Sequence, residues 1–121
     1  MDTSVLHGKV ILAIRNSFFR DVLARMLEKS VSVPAEFIQC APHNVLDTLT
    51  HAGNARVVIT DTAEDVLPGP CTHMLAQNPD LLLIVVSWQS DRVFAYQQIT
   101  SVEELKGSAE EVISAVSRRL G

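Results

Sequence analysis

Arg15, Asp61 and Ser87 are the side chains of this sequence best placed to do chemistry. Each follows an apolar run: Arg15 follows Lys9–Ile14, Asp61 follows Arg56–Thr60, and Ser87 follows Leu81–Val86. Short runs rich in Val, Ile and Leu predict strands buried on both faces. The carboxyl ends of neighbouring parallel strands form the edge where open α/β sheets bind ligands. A guanidinium, a carboxylate and a hydroxyl would meet there. Two readings of Arg15 follow. Either it pairs with Asp61 and locks the site in one state, or it points to solvent while Asp61 caps a loop.

Other reactive residue types are weaker candidates. His7, His43, His51 and His73 are far apart, without HxxxH spacing, and are expected on loops and helix surfaces. Cys40 and Cys71 show no CxxC spacing and are expected as free thiols that pack in a reducing cytoplasm. Glu64 and Asp65 follow Asp61 closely. They read as a solvated loop pair, with a divalent ion held by Asp61, Glu64 and Asp65 as the minor alternative. No GxGxxG or GxxxxGK[ST] occurs, so nucleotide binding has no motif behind it.

The elements that must position these residues follow from periodicity and breakers. After the first strand, Asn16 or Ser17 can cap a helix with an apolar stripe of Phe19, Val22, Leu23, Met26 and Leu27, leaving Arg20 off the stripe. Pro34 forbids its continuation, and Glu36–Cys40 reads as a second strand. Asn44–Asp47 resembles a capping box that opens a short helix ending near Gly53. The third strand is Arg56–Thr60. Residues 62 to 70 read as a loop around Pro68-Gly69-Pro70, followed by a short helix at Cys71–Gln77. The fourth strand, Leu81–Val86, is the most apolar and therefore central.

That alternation means βαβ units and a mostly parallel sheet with helices on both faces. It breaks after Ser87. Strand-like Val93–Ile99 follows too soon for a parallel crossover, so an antiparallel hairpin with a turn at Gln89–Asp91 is expected. Ser108–Glu111 then opens a last helix with Val112, Ile113, Val116 and Leu120 inward and Arg118 and Arg119 in its final turn.

The chain has 121 residues, with 47% hydrophobic and 20% charged side chains, as in a globular domain. The expectation is one domain, 1–121. Net charge is −4 and the basic residues are scattered, which argues against nucleic-acid binding. Residues 1–8 lack the pattern of a secretory signal. No apolar run approaches the roughly 20 residues that span a bilayer, so a cytoplasmic chain with no membrane partner is expected.

With the elements in place, the chain resembles a response-regulator receiver domain, in an atypical, pseudo-receiver form. Lys9–Glu28 is similar to that family's first strand and helix. Val57–Asp61 is similar to the strand that carries the phospho-acceptor, and Leu83–Ser87 to the strand that ends in a hydroxyl. The resemblance implies a flavodoxin-like five-stranded sheet in which Asp61 matches the phospho-acceptor and Ser87 the switch hydroxyl. The family's two metal-holding acids fall on Ile14 and Arg15, which do not ligate Mg²⁺. Its lysine falls on Gln98 or Ile99. The helix between strands four and five is replaced by the hairpin.

The expectation is therefore a signalling domain that acts by protein–protein contact without phosphorylation, is not an enzyme and needs no cofactor. Its partner would be another protein or a second copy of the chain, through the hairpin 83–99 and its aromatics Trp88, Phe94 and Tyr96. Aromatics are enriched in interface cores, and an edge strand can pair with another chain. The family also implies a histidine kinase as partner. One alternative is a working receiver of a two-component phosphorelay, phosphorylated on Asp61 with Mg²⁺. A lesser one is a small ligand-binding or enzymatic domain using Arg15, Asp61 and Ser87.

Overall fold

The three most apolar runs form the centre of one sheet. In the computed structural model, which describes residues 8–30, 35–53, 55–63, 69–87, 92–98, 101–105 and 109–120, they are β1 (Lys9–Ala13), β3 (Ala55–Thr62) and β4 (Leu82–Ser87). β2 (Glu36–Cys40) lies outside β1, and β5 (Arg92–Gln98) and β6 (Ser101–Leu105) lie beyond β4. The strand order is β2-β1-β3-β4-β5-β6. The first four strands run parallel, and β5 and β6 are each antiparallel to their neighbours.

Helices cover both faces. Alternate residues of β1, β3 and β4 (Val10, Leu12, Val57, Ile59, Leu82, Ile84, Val86) pack against α1 (Ser17–Ser30) and α4 (Ala109–Leu120). The intervening residues (Ile11, Ala13, Val58, Leu83, Val85) pack against α2 (Val45–Ala52) and α3 (Gly69–Gln77). A strand covered on both sides is apolar at successive positions through its middle, and that is the run signature of the sequence.

Several expectations need correction. The antiparallel β5 is as expected, but among the described residues the sheet has six strands rather than five. β6 carries adjacent Glu103 and Glu104, and only two residues separate Gln98 from its partner Ser101. Those two residues, Ile99 and Thr100, lack the glycine or asparagine that marks a tight hairpin turn. β3 continues through Thr62, and α3 begins at Gly69, both inside the stretch expected to be a loop. Pro70 is compatible with that start, because the first helical turn has no intrahelical partner for its missing N–H.

The buried stripe of α1 is also rotated from the expected one. Leu23, Ala24 and Leu27 are buried, while Met26 is exposed. Arg20, expected off the stripe, faces the sheet edge and donates from Nη1 to the carbonyls of Ile14 (3.0 Å) and Cys40 (2.8 Å). Asn16 caps α1, its Oδ1 accepting from the Phe19 amide at 3.0 Å. Asn44 makes no side-chain cap. A single 3₁₀ turn, Pro42–Asn44, leads into α2 instead. Gly53 ends α2 with φ +85°, a positive φ that glycine adopts without strain. No helix among the described residues is long and apolar enough to cross a membrane.

Candidate functional site

β1 ends at Ala13, and the chain turns through Ile14, Arg15 and Asn16 into α1. In register, Ala13 lies beside Thr60, which brings the start of that turn next to Asp61. Ile14 is fully buried in the core, so it forms part of the floor of this edge and offers no ligand atom. Asp61 is only 6% exposed. The amide of Arg15 donates to both of its carboxylate oxygens, at 3.1 Å each. One residue back, the Thr60 hydroxyl donates to the Ala13 carbonyl at 2.8 Å, fully buried. Two consecutive β3 side chains therefore tie the end of β1 to β3.

Arg15 and Asp61 do meet, through the backbone rather than the guanidinium. The Arg15 side chain is exposed and, among the described residues, forms no ion pair. The arrangement is thus part of each reading: Arg15 holds Asp61 with its amide while its side chain faces solvent. A hydrogen bond to a charged acceptor contributes about 1.5–3 kcal/mol, so the carboxylate works here as a structural anchor for the β1–α1 turn. Arg20 adds a second tie from α1 to the ends of β1 and β2.

Ser87 closes the same edge. It is fully buried, pairs with Thr62 on one side and with Arg92 on the other, and is itself hydrogen-bonded or otherwise engaged. Gln98 does not belong to this group. β5 runs antiparallel, Leu83 lies opposite Tyr96 and Ser87 opposite Arg92, so Gln98 falls at the other end of the sheet. The cation that β5 brings to the edge is Arg92, which no motif in the sequence marks. Its guanidinium is held by Glu104, Nε at 3.0 Å and Nη2 at 2.7 Å, and lies 5.1 Å from the Phe94 ring centre.

The aromatics are divided. Tyr96 packs against the α2–α3 core, and Phe94 is half-buried beneath the Arg92–Glu104 pair. Trp88, the turn at Gln89–Asp91 and Ile99 lie outside the described residues, as do His7, Glu64 and Asp65. β5 is not an edge strand, because β6 covers it. His43, His51 and His73 are exposed, and no group of three His, Cys, Asp or Glu residues among the described ones could hold a metal ion. Both cysteines are free thiols; burial pushes the Cys71 thiol up to about 11. Such a thiol is poorly nucleophilic.

Among known proteins, the chain matches no family model, no curated protein and no solved structure.

Proposed function

We propose that the chain is an atypical receiver-like domain of signal transduction, which works in the cytoplasm by protein–protein contact rather than by phosphoryl transfer. One observation carries this reading. Asp61 stands at the carboxyl end of the third strand, as a phospho-acceptor would. Yet it is 6% exposed and both its oxygens take the Arg15 amide. Phosphoryl transfer to a carboxylate develops charge that a metal ion and a cation neutralise. The positions that would hold the metal are Ile14 and Arg15, and the Arg92 guanidinium is committed to Glu104.

The strand order supports the flavodoxin-like part of the proposal. β2-β1-β3-β4-β5 is the order of that doubly wound class, with the last strand reversed and a sixth added here. The domain needs no cofactor and catalyses no reaction of its own. It signals by docking, either to a second copy or to another protein, through the hairpin 83–99 and its aromatics Trp88, Phe94 and Tyr96. Tyr96, on the same face of β5 as Phe94, packs partly against the α2–α3 core.

The test is sedimentation velocity over a concentration series, for the wild type and for Trp88→Ala combined with Phe94→Ala. A concentration-dependent dimer that the double variant loses supports self-association through this face. A dimer unaffected by both substitutions, or a wild type monomeric throughout, overturns it.

A further inference from the structure

The end of the sheet opposite Asp61 holds a groove that the proposed signalling role leaves unused. It opens between the last turns of α4 and the facing ends of β4 and β5, with a volume of about 290 Å³. Leu82, Ala95 and Ala115 form its apolar wall, and Gln97, Arg118 and Arg119 supply its polar groups. Asp61 pairs with Val86 near the end of β4, whereas Leu82 begins that strand, so the groove and the Asp61 edge are at opposite ends.

Two successive arginines on a chain of net charge −4 need a reason. Cations in the last turn of a helix suit its dipole, and that accounts for their sign. It does not account for their company. Among the described residues, neither guanidinium forms an ion pair. The acids of α4, Glu110 and Glu111, are in its first turn, about 12 Å away along the axis. Arg119 is half-buried, and its Nε–H is shut from solvent with no acceptor among the described residues. A buried N–H donor without a partner is costly, and a small swing of the half-buried Arg119 side chain toward the groove would offer it to an oxyanion there.

We propose that this groove binds the oxyanion head of a small molecule, a phosphate monoester or a carboxylate. The Arg119 fork takes the oxygens, Arg118 adds charge at the rim, and Gln97 contributes a further hydrogen bond. The planar fork of arginine matches both kinds of head group in two-point contact. The apolar wall of Leu82, Ala95 and Ala115 receives a short non-polar body. The volume sits at the lower limit of small-molecule sites, which restricts the ligand to a compact one.

The test titrates the full chain with phenyl phosphate and, separately, with benzoate at constant ionic strength. It follows the arginine Nε–H signals by NMR. Saturable shifts of the Arg118 and Arg119 signals are expected with at least one probe, and the stronger probe identifies the head group. Arg119→Gln should weaken that binding by about tenfold or more, the effect of one charge-assisted hydrogen bond. Arg118→Gln, a change at an exposed position, should weaken it less and carries the test if Arg119→Gln fails to fold. Shifts that never saturate with either probe, or binding equally tight in Arg118→Gln and wild type and in Arg119→Gln where it folds, would overturn the proposal.

Discussion

The two halves of the sheet solve the problem of burial differently. In β1, β3 and β4, helices cover both faces, and the middle of each strand is apolar and buried, with the polar residues gathered at the strand ends. In β5 and β6, one face joins the α1–α4 core through Val93, Ala95 and Leu105. The other face carries half-buried Phe94 and Tyr96 and exposed Arg92 and Glu104. A parallel strand inside two helical layers takes polar residues mainly near its ends, whereas an antiparallel strand covered mainly on one side alternates. The parallel half therefore sets stability, and the antiparallel half is free to present a surface. The chemically suggestive residue, Asp61, belongs to the first half and has been drawn into its structure.

Truncation should separate the halves most strongly. Ile59→Ala empties a fully buried position of β3 and should cost about 2–5 kcal/mol in urea denaturation. Phe94→Ala, from a half-buried position, should cost clearly less. Equal losses would remove the distinction between the halves. Next in size is Asp61→Ala, which leaves the Arg15 amide without its acceptor and should cost about 1–3 kcal/mol. Asp61→Asn keeps one oxygen and should cost less. A neutral Asp61→Ala would mean that Asp61 is not an anchor.

The pH dependence sharpens the same contrast within the α2–α3 core. Cys71 titrates near 11 when folded and near 9 in its unperturbed form. Between those values the unfolded chain has released the proton and the folded chain has not, so stability falls as pH rises from about 9 to about 11. Cys71→Ala should flatten that part of the profile, measured by urea midpoints across the range. Thiol labelling of the folded protein at neutral pH should modify the half-buried Cys40 well before Cys71. The smallest effect belongs to the antiparallel half. Arg92→Ala breaks a half-exposed ion pair with Glu104 and should cost about 0.2–1 kcal/mol, declining with added salt. A larger loss would make the pair part of the core.

The same difference decided what could be read from the sequence. β1, β3 and β4 were legible because a continuous Val, Ile and Leu run has few other uses. The reversal of β5 was legible from its short connection to β4. β6 was not, since Ser101–Leu105 is half polar and its turn lacks the usual residues. The rotation of α1 escaped because an arginine reads as a surface residue, while Arg20 spends its guanidinium on two backbone carbonyls.

In the site, Asp61 and Ser87 were legible as polar residues ending buried strands. The partner of Asp61 was not, because an amide donor is present at nearly every position and leaves no mark in residue type. Gln98 would reach this edge only if the fifth strand ran parallel. Once β5 reverses, its first residue, Arg92, occupies the edge instead.

The central claim of the proposed function is that Asp61 serves as a structural anchor and does not accept a phosphoryl group. Its most direct test is intact-mass spectrometry of the wild type and of Asp61→Asn after incubation with acetyl phosphate and Mg²⁺. The account predicts no phosphoryl adduct on either protein. A wild type that gains one phosphoryl group, absent from Asp61→Asn, would contradict it.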